Sequence, residues 1–396
     1  MKRQPLAPRP DWQQKAEEAG FKFHTMYGEP YWDESSAYGF TLEQIEQDIE
    51  DPSTALHEMC REAAAEIIAS EELMERLGIP ASRMDLVADS WHADEPELYG
   101  RLDLAYDGAS PAKMLEYNAD TPTSLFEAGY FQWGWLEGVL ESGTLPEGAD
   151  QFNSMHEALV ERFTEILEPG SDLHCTSAGD NLEDYGTVEM LGWAAKDAGI
   201  TPHYTKLEEI GLSEDGQFLD NESRVIGTLF KLYPWEDLFR DEYSADIRQS
   251  GCRFIEPAWK AVVSNKGILP VLWRMFEGHP NLLPAFFEGD TDGNPIFERA
   301  RAQFETTGFV SKPLFSREGA SVSIHEGSVV EHAANRSYDQ HPKILQAYQP
   351  LPVFDGMRPV LGAWIIGRTC RGLGIREDAG RITQDLSRFK PHFIWP

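Results

Sequence analysis

The chain has 396 residues, 41% hydrophobic and 26% charged, enough to bury a sizeable core and too apolar for wholesale disorder. Its 67 acidic and 34 basic side chains leave a formal charge of -33, which repels nucleic acid and attracts metal cations and cationic small molecules. No apolar run approaches the roughly 20 residues of a membrane helix. No secretory signal is legible at the start, and Cys60, Cys175, Cys252 and Cys370 lie too far apart to form a framework, so a reducing, cytoplasmic setting is expected.

The first hundred residues read as largely helical, with Leu56, Met59, Ala63 and Ile67 on one stripe of a helix over 53–78 that Gly78 and Pro80 end. At 99 the period changes to two. Leu102, Leu104 and Tyr106 point one way and Arg101 and Asp103 the other, and after a turn at 107–111 a second strand over 113–118 carries Glu116 and Asn118 on one face. Ser124 with Glu127 three residues on has the capping-box pattern and opens an aromatic helix through Phe126, Tyr130, Trp133 and Leu140. From 151 to about 257, helices over 155–167 and 188–198 alternate with strands over 173–176 and 225–233, an α/β arrangement. Beyond 268 the helical pattern ends and strands over 321–324, 329–332, 344–349 and 360–366 imply an antiparallel sheet.

Chemistry concentrates between Arg101 and Ser124. If the two strands pair, Asp103, Glu116 and Asn118 offer hard oxygen ligands suited to Mg²⁺, and Arg101 beside them can stabilise phosphoryl oxygens; a solvent-facing hairpin with one salt bridge is the alternative. The hydroxyl-rich turn Thr121, Pro122, Thr123 leads to a helix N-terminus able to receive anions. Lys266, Lys312 and the small residues after Glu318, Gly319 among them, suit phosphate binding, because ammoniums act as point charges and small residues let backbone N–H groups approach oxygen. Gln346, Tyr348 and Ile382 suit an adenine pocket of flat apolar walls with a few polar atoms, and Arg376 lies in a charged run near them. No P-loop, complete dinucleotide fingerprint, zinc-protease or serine-hydrolase motif is present.

Taken in order, FHTMYGEPYW, RLDLAYDG, LEYNADTPTS, KLYPWE, EPAWK with SNKGILP, SKPLFSREGASVS and GIREDAGRITQDLSRF resemble the synthetase half of the glutathionylspermidine synthase family, ATP-grasp-type carboxylate–amine ligases, over nearly the whole chain. The resemblance implies an α/β (α+β) fold with mixed and antiparallel sheets. It divides one cooperative unit into a helical region with a metal-binding hairpin (1–150), an α/β substrate-side domain (151–255) and a nucleotide-binding region with a phosphate lid (256–396). It further implies ATP and two Mg²⁺ ions, the metals on Asp103, Glu116 and Asn118 with Glu116 shared. Arg101 would stabilise the transition state, Lys266 and Lys312 bind the phosphates under a loop holding Gly319, Gln346 and Ile382 contact the nucleotide, and Arg376 support the reacting phosphate. The cysteine amidase domain of the bifunctional members is not expected, and Thr121 and Thr123 are only loose counterparts of the hydroxyls those members offer to a peptide. The activity implied is ATP-dependent joining of a peptide-like carboxylate to an amine, a polyamine among the candidates, through an acyl phosphate. The alternatives are a Mg²⁺-dependent phosphohydrolase and a non-catalytic polyamine- or peptide-binding protein.

Overall fold

The computed structural model describes residues 1–26, 28–384 and 387–396; Tyr27 of FHTMYGEPYW and Asp385 and Leu386 of the terminal motif lie outside the described residues. Its centre is a five-stranded antiparallel sheet in the order Arg388–Lys390, Thr369–Asp378, Arg358–Ile366, Tyr99–Ala105, Lys113–Asn118. A four-stranded parallel sheet, in the order Arg253–Ile255, Thr228–Leu232, Asp172–Ser177, Thr201–Tyr204, stands on one side. On the other is a five-stranded antiparallel sheet, Ala285–Phe287, Lys343–Ala347, Phe309–Pro313, Ser323–Glu326, Val329–His332. The expected mixture of α/β, parallel and antiparallel parts is therefore the observed one. The outer strands of the central sheet come from opposite ends of the chain.

Helix Asp51–Ile68 packs Leu56, Cys60, Ala63, Ala64 and Ile67, all fully buried, against the central sheet. The periodicity predicts one helix over 53–78, but the chain breaks after Ile68, where the Ser70 hydroxyl accepts the Leu73 N–H and starts a second helix, Glu71–Arg76. Helices Ile268–Met275 and Pro295–Thr307 lie in the region expected to be strand-rich. The latter is opened by Asn294, whose side chain accepts two backbone N–H groups, and by Pro295. Strands Lys2–Pro5 and Ser36–Phe40 interrupt the expected helical start, joining His392–Ile394 in a small sheet. Ser124 stands at the cap position, its carbonyl accepting the Ala128 N–H, but the side-chain capping box does not form. It has φ 72°, the helical stretch through 127–131 has no side-chain cap, and Glu127 turns inward to accept a hydrogen bond from the Tyr31 hydroxyl at 2.7 Å.

Cys60, Cys175 and Cys370 are buried and Cys252 is half-buried, all as free thiols. Burial pushes the Cys175 and Cys370 thiols up to about 12, leaving them inert. No helix among the described residues is long and apolar enough to cross a membrane.

Candidate active site

The polar hairpin pairs in a register that sets Arg101 opposite Asn118 and Asp103 opposite Glu116. Cross-strand neighbours lie within about 5 Å of one another on a sheet face, so this pairing alone gathers a guanidinium, two carboxylates and an amide. Arg101 grips Asp103 through two N–H groups, at 2.7 and 3.1 Å, and donates a third to the Thr123 carbonyl at 2.8 Å. On the neighbouring strand Gly362 makes room, since a Cβ there would come within 2.7 Å of the Arg101 Cδ. Asn118 lies between the carboxylates, its Nδ2 3.3 Å from Asp103 and 3.4 Å from Glu116.

Facing the hairpin are the two lysines. Lys266 Nζ lies 3.1 Å from the Glu116 carboxylate and donates to the Ser316 carbonyl at 2.9 Å. Lys312 donates to Gln346 Oε1 at 2.7 Å and to the Leu115 carbonyl at 2.9 Å. Burial alone would raise the Glu116 carboxyl, but the Lys266 and Lys312 ammoniums overcome it and hold the group down at about 2. Lys312 shows the reverse balance. Desolvation pulls its ammonium down to about 8 despite the attraction of Glu116. The Arg376 guanidinium completes the arc 3.7 Å from Asp103.

These groups line a single cleft of about 260 Å³. Arg101, Asp103, Glu116, Asn118, Lys266, Lys312, Gly319, Gln346, Arg376 and Ile382 all reach it, as do Thr121 and Thr123. Gly319, at φ 68°, sits directly on the C-terminal segment: a Cβ there would stand 2.5 Å from the Thr383 carbonyl oxygen and 2.8 Å from the Ile382 side chain. The loop around it thus closes over the cleft by backbone contact that only glycine permits. Leu115, Val310 and Ile324 give the cleft an apolar wall near Gln346. Six cationic and five acidic side chains line it, so the cleft is locally balanced on a chain whose formal charge is -33.

Several residues that matter to the site were not singled out as site residues in the sequence. Glu183 and Asp184 form an acidic rim, placed by the first turn of helix Leu182–Asp197 after its Asn181 cap. Burial, then the Glu183 charge, pushes the Asp184 carboxyl up to about 6. Asp120, inside the hydroxyl-rich turn, faces away from the cleft. It accepts the Lys231 ammonium at 2.7 Å and the Trp235 N–H at 2.8 Å, which fixes the turn after Asn118. Lys260 does the same for the first strand, donating to the Tyr99 carbonyl at 2.7 Å and the Ala119 carbonyl at 3.0 Å while paired with Glu256 at 3.0 Å. The KLYPWE and EPAWK motifs are therefore posts behind the hairpin.

The donor set fits Mg²⁺. Two carboxylates and an amide that exchanges nitrogen for oxygen by a half-turn are hard oxygen ligands, few enough to leave room for waters and phosphate oxygens. Among the described residues no group of three or more histidine, cysteine or acidic side chains could hold a metal ion, so the set rests on two carboxylates and one amide.

A sequence profile described as glutathionylspermidine synthase preATP-grasp matches residues 3–395. A Haemophilus influenzae protein assigned as an acid–amine ligase is 40% identical over 98% of this chain and 98% of its own length. The trypanothione synthetase of Crithidia fasciculata is 26% identical over 83% of this chain, which spans 52% of that longer protein. A glutathione synthetase-like effector of Globodera pallida shares the fold, with a TM-score of 0.56 at 11% identity over 98% of both chains.

Proposed function

The chain belongs to the glutathionylspermidine synthase preATP-grasp family, and from that premise we propose that it is an ATP- and Mg²⁺-dependent acid–amine ligase acting on a peptide-like carboxylate and a cationic amine. The observation that carries the reading is the hairpin register, which sets Arg101, Asp103, Glu116 and Asn118 together opposite Lys266 and Lys312. Phosphoryl transfer is catalysed by positioning and charge stabilisation, so such a group needs no side-chain nucleophile.

Lys266 and Lys312 hold the phosphates, the apolar wall beside Gln346 and Ile382 takes the adenine, and the loop at Gly319 covers both. Asp103, Glu116 and Asn118 would hold the Mg²⁺, which when bound would supply neutralising charge to the transferring phosphoryl group. Arg101 and Arg376 orient the carboxylate that receives it and steady the acyl phosphate. The rim of Glu183 and Asp184 draws in the cationic amine, whose attack forms the C–N bond and releases phosphate. Covering the cleft keeps water from the intermediate.

The test is incubation with ATP, Mg²⁺ and mixed peptide carboxylates and polyamines, reading ADP together with product masses. The expected result is ADP that depends on the amine, with a product equal to acid plus amine less water. Amine-independent ADP and phosphate would instead make the chain a phosphohydrolase, and no ADP from any mixture would leave only a binding protein.

A further inference from the structure

Behind the cleft a short chain of hydroxyls leads away from the site just described. Ser124 is buried, held at φ 72°, and lines a cavity of about 10 Å³ together with Arg101, Asp103 and Arg376. That is room for one water. The Tyr31 hydroxyl stands 3.2 Å from the Ser124 Oγ and donates at 2.7 Å to Oε1 of Glu127, a carboxyl with no exposed surface. The second oxygen of Glu127 has no hydrogen-bond partner among the described residues. A buried carboxyl with one oxygen unpartnered is costly. The direction of the bonds is that of a wire, in which the serine hydroxyl can donate to tyrosine while tyrosine donates to glutamate.

The geometry points to Ser124, Tyr31 and Glu127 as a proton relay that carries off the proton of the attacking amine. This rests on the ligase reading above. A cationic amine must shed one proton before its nitrogen can attack, and that proton passes across the small cavity to the Ser124 Oγ as the serine proton moves to Tyr31 and the tyrosine proton to Glu127. When the freed nitrogen bonds to the acyl carbon and the C–O bond to phosphate breaks, phosphate leaves with that bond's electron pair and takes up the second proton, from the new C–N group. Both hydroxyls are restored and Glu127 ends neutral. The groups that face Glu127 are Tyr31, Glu183 and Arg376. Burial first, and Glu183 second, lift the Glu127 carboxyl to about 8, so its accepting form grows as pH rises through that value, and a cationic amine beside Glu183 relieves part of the lift.

Tyr31 and Glu127 act through Ser124, so the test must separate proton removal from structure. Hydroxylamine is already neutral at neutral pH and attacks an acyl phosphate without a base, whereas spermidine arrives protonated. With ATP, Mg²⁺ and the mixed peptide carboxylates, Tyr31→Phe and Glu127→Gln should keep hydroxamate formation within about twofold while spermidine amide formation falls at least tenfold, the lower edge of what a positioned base contributes. Glu127→Gln should also lose the rise of the amide rate through pH 8. Tyr31→Phe removes one hydroxyl and carries the test if the glutamate variant folds poorly. If both products fall together, or neither falls, the relay is overturned. No hydroxamate from the wild-type chain overturns the ligase reading, and the relay with it.

Discussion

On the carboxylate side of the cleft every residue of strand Tyr99–Ala105 is buried, flanked on both edges by other strands and pinned from behind by Lys260 and Glu256. On the lysine side the sheet ends in the edge strand Val329–His332, with Val329 59% and Val330 44% exposed, and the loop at Gly319 meets the opposite wall by contact at its tip. One side is packed on both edges, and the other ends in an open edge and reaches its neighbour through a loop tip. The difference teaches that charge placement and cleft closure belong to separate parts of the fold, and each can be disturbed alone.

The sharpest break is Asp103→Asn, which takes a carboxylate from the fixed side and leaves the buried Arg101 guanidinium without its partner. Turnover should fall about 100-fold or more, the cost of removing a charge-stabilising group from such a site, while the circular dichroism spectrum stays folded. Turnover within a few-fold of wild type would discard the metal assignment. Next is Lys312→Met, from the opposite side, expected to raise the KM for ATP by at least about tenfold, in line with the ~1.5–3 kcal/mol of a charged hydrogen bond, with little change in melting temperature. An unchanged KM would place the triphosphate elsewhere.

Gly319→Ala probes closure. A methyl group at φ 68° and 2.5 Å from a carbonyl must push the loop away, at a cost of about 1–3 kcal/mol, so kcat/KM should drop about tenfold while the fold outside this loop stays unchanged. A loss as large as that of Asp103→Asn would mean the two sides do not separate. Above pH 8 Lys312 should shed its charge, because desolvation has lowered its pKa to about 8. The charged form is present below that value and lost above it, so the KM for ATP should climb a few-fold between pH 7 and 9, less than in the methionine variant, since bound phosphate pulls the proton back. Smallest is Arg381→Ala, which removes ion pairs from the half-exposed Arg381 to Glu326 and to Glu331 between the C-terminal segment and the sheet that carries Lys312. Such pairs contribute about 0–1 kcal/mol, so a shift of a few degrees at most in melting temperature is expected.

The fixed side was the more legible in sequence, because a two-residue period with polar groups on one face is local information, although the register that opposes Asp103 to Glu116 depends on a bulge between Asp103 and Leu104 that the pattern does not show. All the expected cleft residues lie in the cleft, yet the pairing partner of Tyr99–Ala105 on its other edge, Arg358–Ile366, is set by tertiary contact that no window contains. Helix Pro295–Thr307 was hidden because only Ala300 and Phe304 of its thirteen residues are buried, too thin a stripe to read. Strand Lys2–Pro5 pairs with Ser36–Phe40, which in turn pairs with His392–Ile394, and such separations leave no local signature. Ser124 followed by Glu127 has the spacing of a helix cap, and the competing attraction of the Tyr31 hydroxyl drew the glutamate inside. Lys231 and Lys260 carry no periodicity. Buried ammoniums are invisible until their carboxylate partners, Asp120 and Glu256, are placed in space.

The central sheet interleaves early and late parts of the polypeptide, with Tyr99–Ala105 lying between Lys113–Asn118 and Arg358–Ile366. A chain still emerging from the ribosome therefore has Asp103, Glu116 and both cleft lysines, Lys266 and Lys312, before it has the strand that frames them. Until residue 366 has been made, those charges are present without the sheet that holds them in place.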